Sequence, residues 1–89
     1  MIDYSIYIAE SPSGRKYVGI TKDFHIRKLN HLSMAKNGGK YIFHKALRKY
    51  KGEISWKIID TAKGRKEACK KEIEWIAKLD TYKNGYNRR

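Results

Sequence analysis

Glu72 is the side chain whose position packing alone explains least. The segment from Arg65 to Leu79 reads as a helix with an apolar stripe through Ala68, Cys69, Ile76 and Leu79, and with Ile73 and Trp75 on its margins. At about 100° per residue, Glu72 falls near the middle of that stripe, between Ala68 and Ile76. A buried carboxylate left uncompensated costs several kcal/mol, so it needs a cationic partner, a metal ion or a proton. A salt bridge to Arg27 or to one of the lysines would satisfy it structurally, and a bound metal would satisfy it chemically. Glu67 and Glu74 lie off the stripe and read as solvated acids.

A cation and an imidazole recur at helical spacing. Arg27 and His31 are four apart and project from one side of a helix, as a possible anion-binding pair or as an ordinary basic face. Tyr7 and Tyr17 sit in two strand-like segments whose alternation puts both phenols, with Gly19, on one sheet surface. Tyr4, Tyr41 and Tyr50 read as half-buried packing, and Cys69 as core. His25 and His44 have no acid or cysteine at ligand spacing and read as surface residues. A zinc pattern, a phosphate-cradling glycine loop and a serine or cysteine elbow are all missing, which excludes the commonest hydrolase and nucleotide-binding sites.

The elements that must position these groups follow from local patterns. Tyr4 to Ala9 and Lys16 to Ile20 form a hairpin around Ser11-Pro12-Ser13-Gly14, with Ile6, Ile8, Val18 and Ile20 on the face opposite the phenols. Thr21 or Asp23 caps a helix running to about Lys36, stopped by Asn37-Gly38-Gly39. A second helix spans Tyr41 to Tyr50, a third strand Ile54 to Ile59, and a third helix Arg65 to Leu79, followed by a polar segment from Tyr82 to Asn87. The fold class is α/β: a small three-stranded antiparallel-type sheet flanked by helices, in the order β-β-α-α-β-α. All 89 residues belong to one domain.

Composition narrows the partner. Twenty-one Lys and Arg against nine acids give a net charge of +12, spread along the whole chain, which favours a polyanion. No helix has the basic amphipathic face of a membrane-surface segment, and no run approaches the roughly 18 apolar residues of a membrane span. One cysteine rules out an internal disulfide, and Met1-Ile2-Asp3-Tyr4 does not begin a signal peptide. The expectation is a soluble, cytoplasmic protein that binds nucleic acid.

In order along the chain, these residues resemble the GIY-YIG nuclease family. Ser5-Ile6-Tyr7 stands where the first triplet belongs and Tyr17-Val18-Gly19 where the second does. Arg27 and His31 follow Tyr17 by ten and fourteen positions, as the family's helical pair. The segment Phe43 to Tyr50 looks like the second-helix motif of homing-type members, Glu72 matches the metal-binding glutamate, and Asn84-Gly85-Tyr86-Asn87 is similar to the terminal motif ending in a supporting asparagine. Three positions depart from the pattern. Ser5 replaces a glycine, Gly38 or Gly39 stands where some homing members carry a second histidine, and Ile20 stands where repair-type members carry a lysine. Lys22 is a candidate substitute for what those groups supply.

The resemblance implies a DNA endonuclease with Tyr7, Tyr17, Arg27, His31, Glu72 and Asn87 in its active site. A single carboxylate suits one Mg²⁺, with Mn²⁺ able to substitute, rather than a two-metal site. Tyr17 or Tyr7 would take the proton of the attacking water, with its pKa lowered by Arg27 and the metal. His31 would relay that proton or bind phosphate, Asn87 would orient a neighbour, and Gly19 would leave room for the DNA backbone. Base readout is expected from a separate or appended targeting domain, since the chain reaches only Arg89. The alternative is a catalytically inactive nucleic-acid-binding module on the same fold, whose mark would be loss of Arg27 or Glu72.

Overall fold

The period-two alternation from Tyr4 onward produces the first hairpin. A computed structural model describes residues 3–87; Met1 and Ile2, read above against a leader, and Arg88 and Arg89 lie outside it. Strand β1 (Asp3–Glu10) pairs antiparallel with β2 (Lys16–Thr21), setting Tyr7 opposite Gly19, Ile8 opposite Val18 and Ala9 opposite Tyr17. The other edge of β1 takes β3 (Ser55–Lys63), so the sheet order is β2-β1-β3 and all pairs are antiparallel.

The third strand is longer than its apolar run. Ile54 lies outside it, and it continues past Ile59 to Lys63 because β1 offers ladder partners as far as Asp3. Asp60, a poor strand former, is thereby held in a strand that its own preference does not specify. Ile6 faces Asp60 while Tyr7 faces Ile58, leaving Ile59 as an inserted bulge residue. Ile59 packs against the core and Ile58 is exposed.

Helix α1 (Phe24–Lys36) is capped by Asp23, whose side chain accepts from the Ile26 N–H at 3.1 Å. It ends at the expected Asn37-Gly38-Gly39 stop. In α2 (Ile42–Tyr50), with Tyr41 at the cap position, Arg48 reaches back and donates to the carbonyls of Ala35 at 2.9 Å and Gly39 at 2.8 Å. That satisfies the end of α1 and ties the two helices together. Helix α3 (Arg65–Leu79) has the expected bounds, and a single further turn, α4 (Thr81–Asn84), follows it. The order is therefore β-β-α-α-β-α-α.

Helices cover both sheet faces. Tyr4, Ile6, Ile8 and Val18 pack with Ala68, Trp75, Ile76 and Leu79 of α3. Ala9 and Tyr17 pack on the other face with Ala35 of α1 and with Phe43, Ala46 and Leu47 of α2. The apolar stripe of α3 turns toward Trp75, whose indole N–H donates to Asp60 at 3.3 Å, and Ile73 is left 67% exposed. No helix among the described residues is long and apolar enough to cross a membrane.

Candidate active site

Alternation puts Tyr7 on the α1–α2 side of the sheet, and there it is shut away from solvent, with 1% of its surface exposed. Its hydroxyl lies 2.9 Å from His31 Nε2. A Cβ at Gly19 would collide with that hydroxyl, so the glycine makes room for Tyr7. The expectation that Gly19 admits the DNA backbone is corrected: the phenol fills the space.

Tyr17 has the opposite exposure. It is half-buried, its ring stacked on Phe43 at 4.3 Å between centroids and 3° between planes. Together with Arg27, His31, Glu72 and Asn87 it lines a cleft of about 660 Å³. Tyr17 belongs to one sheet face and Glu72 to the helix on the other, so this cleft lies along the β2 edge. The fold thus brings five of the six expected side chains to one cavity and sets Tyr7 behind them. Glu72 is half-buried on the cleft wall rather than enclosed at the centre of an apolar stripe.

Asn87 works on backbone. Its Oδ1 accepts from the Val18 N–H at 2.8 Å and its Nδ2 donates to the Val18 carbonyl at 2.7 Å. Tyr86 N–H donates to the Lys16 carbonyl at 2.9 Å, and its hydroxyl donates to Ser11 Oγ at 2.8 Å. A Cβ at Gly85 would strike the Lys16 carbonyl, so the terminal motif can close on the outer edge of β2 only with glycine there. These bonds occupy an otherwise open sheet edge and hold the strand that carries Tyr17.

Burial and charge oppose each other in the cleft. Burial pushes both phenols above their ordinary value, with Tyr7 the more strongly affected, while the guanidinium of Arg27, interacting with both, pulls them down. Glu72 adds a further upward push on Tyr17. Arg27 acts in the expected direction, but burial outweighs it. Arg27 itself is pulled down by burial, yet the two phenols more than compensate and hold it firmly charged. His31, 3% exposed, is pushed down to about 3 by burial, then by Arg27 and His44, and is neutral at physiological pH.

Three further expectations are corrected. His44 is buried, with Nε2 at 3.3 Å from His31 Nδ1, and it lines the cleft. Its signal was present in the sequence: a polar residue within the apolar pattern Phe43, Ala46, Leu47 is the anomaly that singled out Glu72 in α3. Tyr41 is not packing but stands 66% exposed on the cleft rim, a position no periodicity reveals. Lys22 lies with its ammonium 5.9 Å from the centre of the Tyr4 ring, on the opposite face of the sheet, and supplies nothing to the cleft. His25 is exposed as expected.

Among the described residues no three His, Cys, Asp or Glu side chains form a ligand cluster. A metal in this cleft would be held by one carboxylate, completed by water and substrate oxygens. That sparse, hard donor set fits Mg²⁺, which keeps most of its hydration when protein-bound.

A small antiparallel α/β domain with a phenol, guanidinium and carboxylate in one cleft defines the class of protein. The model of the GIY-YIG catalytic domain matches residues 3–87, and the chain belongs to that nuclease family. Among solved structures it is similar to the catalytic domain of the homing endonuclease I-TevI, at a TM-score of 0.84 and 24% identity, covering 97% of this chain and 98% of that one. A glutamate-to-alanine mutant of that intron endonuclease domain is equally similar, at a TM-score of 0.84 and 25% identity over 96% of this chain and 92% of that one. No curated protein matches the chain by sequence.

Proposed function

We propose that this chain is a metal-dependent endonuclease that hydrolyses DNA phosphodiester bonds through a one-metal site. The observation that carries the reading is the convergence of Tyr17, Arg27 and Glu72 on a single cleft. A net charge of +12 suits a phosphate polymer, and two solved domains similar to this one are catalytic domains of a homing endonuclease.

Each side chain has a task that its placement supports. Tyr17, the phenol that faces the cleft, accepts the proton of the attacking water as its phenolate, which Arg27 and a bound metal would stabilise against the upward push of burial; Tyr7 is enclosed and supports it from behind. Arg27 stabilises the charge that develops on the phosphate, where an oriented guanidinium matters more than in bulk water. His31 is neutral and buried, so it acts through hydrogen bonds and not as a cation. Asn87 fixes the β2 backbone beside Tyr17. Glu72 would hold Mg²⁺, or Mn²⁺ in its place, which would supply Lewis-acid stabilisation of the leaving oxygen. Base selection would come from a separate targeting domain, since the charge spread over this domain meets phosphates rather than base edges.

Incubation with supercoiled plasmid tests the reading. Nicked or linear product is expected with Mg²⁺ or Mn²⁺, little with Ca²⁺ and none with EDTA. Undiminished cleavage in EDTA would reject the metal assignment. Tight DNA binding without cleavage under any divalent ion would favour the inactive binding module instead.

A further inference from the structure

His44 is the buried group that the reaction described above does not use. It closes a chain of polar contacts: Tyr7 Oη to His31 Nε2 at 2.9 Å, and His31 Nδ1 to His44 Nε2 at 3.3 Å. The chain stops at His44 Nδ1, which is buried and has no hydrogen-bond partner among the described residues. The Gly39 backbone lies against that end, close enough that a Cβ there would lie 2.6 Å from Nδ1.

A dead end gives such a chain a direction. Both imidazoles are neutral, so each carries one N–H, and the two contacts permit only two consistent arrangements. If Tyr7 donates to His31, every proton is displaced one way and His44 must carry its hydrogen on Nδ1, as a buried N–H with no acceptor. If the donors point the other way, the group left at Nδ1 is only a lone pair. Orphaned buried N–H groups are rarer than under-used acceptors, because a desolvated donor forfeits a full hydrogen bond.

We propose that His44 is a positioning residue that holds His31 in its Nε2–H tautomer, so that hydrogen-bond donors run from His44 through His31 and Tyr7 toward Tyr17. His44 Nε2–H donates to His31 Nδ1, and His31 Nε2–H donates to Tyr7 Oη. Tyr7 is then an acceptor from His31 and turns its own hydroxyl to Tyr17. The Tyr17 ring is Tyr7's neighbour in that direction, with centroids 6.2 Å apart. His31 in this state has no free nitrogen for a proton from Tyr7, so it is a donor and not a relay. For its catalytic consequence alone, this inference rests on the nuclease reading.

The test separates the two. Long-range ¹⁵N–¹H correlation spectra of the full chain, without metal or DNA, report the tautomer of each histidine. His31 is expected as Nε2–H, and an Nδ1–H tautomer would overturn the proposal. His44→Leu removes the donor to His31 Nδ1 and should shift the tautomer ratio by roughly fivefold. His44→Gln places an amide N–H where Nε2–H was and should restore the wild-type ratio. In plasmid cleavage, His44→Leu should move the rise of the pH–rate profile to higher pH, with His44→Gln returning it, a change that loss of packing alone does not produce. An unchanged His31 tautomer in a folded His44→Leu, or no restoration by Gln, would count against His44. Should His44→Leu not fold, the wild-type and His44→Gln spectra still decide. Tautomers as expected in a protein that cleaves nothing would leave His44's role standing and remove the nuclease reading.

Discussion

Arg27 is one basic residue among 21, but it is placed against both phenols inside the cleft. Arg27→Ala should therefore slow cleavage by roughly 10²-fold, about 3 kcal/mol of transition-state stabilisation, while DNA affinity changes far less. Equal losses in rate and affinity would make it a binding residue only. Glu72 poses a different question, because a half-buried acid can serve a metal or an ion pair. As a metal ligand it is replaceable by Gln without harm to folding in EDTA, whereas cleavage collapses because an amide binds Mg²⁺ poorly. As the anchor of a buried pair, its removal would instead cost about 3–5 kcal/mol. Thermal unfolding in EDTA beside a plasmid assay in Mg²⁺ decides this. A large fall in melting temperature, with cleavage kept by the folded fraction, would sink the catalytic assignment.

Among the elements, the joint between the terminal segment and β2 is the most exposed to a single methyl group. Gly85 lies against the Lys16 carbonyl and the backbone of Thr81, neither of which can rotate aside. Gly85→Ala should destabilise the protein by about 1–3 kcal/mol, as overpacking does elsewhere. It should also reduce cleavage, because Asn87 can no longer hold Val18 beside Tyr17. Gly52 is the control: a Cβ there meets nothing, and Gly52→Ala should be close to neutral. Urea unfolding of both variants provides the comparison. Equal stabilities would mean that the terminal segment is not clamped on the sheet edge.

Across the whole molecule, charge and buried imidazole set the response to salt and pH. If the basic surface neutralises about five phosphates, log affinity for duplex DNA should fall with log salt at a slope of roughly −4 to −5. Salt-insensitive binding would contradict phosphate-dominated contact. His31 folds with its pKa depressed from 6.5 to about 3, so between those values the unfolded chain binds the extra proton. The stability this contributes is fully present above pH 6.5 and is lost as pH falls through the window toward about 3. His44 is depressed in the same direction, whereas Asp60, held below 3.8, loses its contribution only at lower pH. Melting temperature in EDTA should therefore decline as pH falls below 6.5 and before the carboxylates titrate, and His31→Phe should flatten that decline. A flat wild-type profile there would show that His31 titrates normally.

What the sequence by itself determined is local or periodic. Asp23 as a cap, the Asn37-Gly38-Gly39 stop, the hairpin, the bounds of α3 and the face shared by Tyr7 and Tyr17 all follow from interactions within a few residues or from the geometry of one element. The order of the motif along the chain identified the family. What only the tertiary structure decided is which members of that motif meet solvent. Periodicity assigns a side chain to a face, but not to what covers the face. Tyr7 and Tyr17 therefore looked equivalent until α1 and α2 enclosed one and left the other on the cleft. The same reason explains His44, drawn inside by contact with a histidine thirteen residues away. It also explains β3, extended through polar residues by a partner strand that its own sequence does not contain.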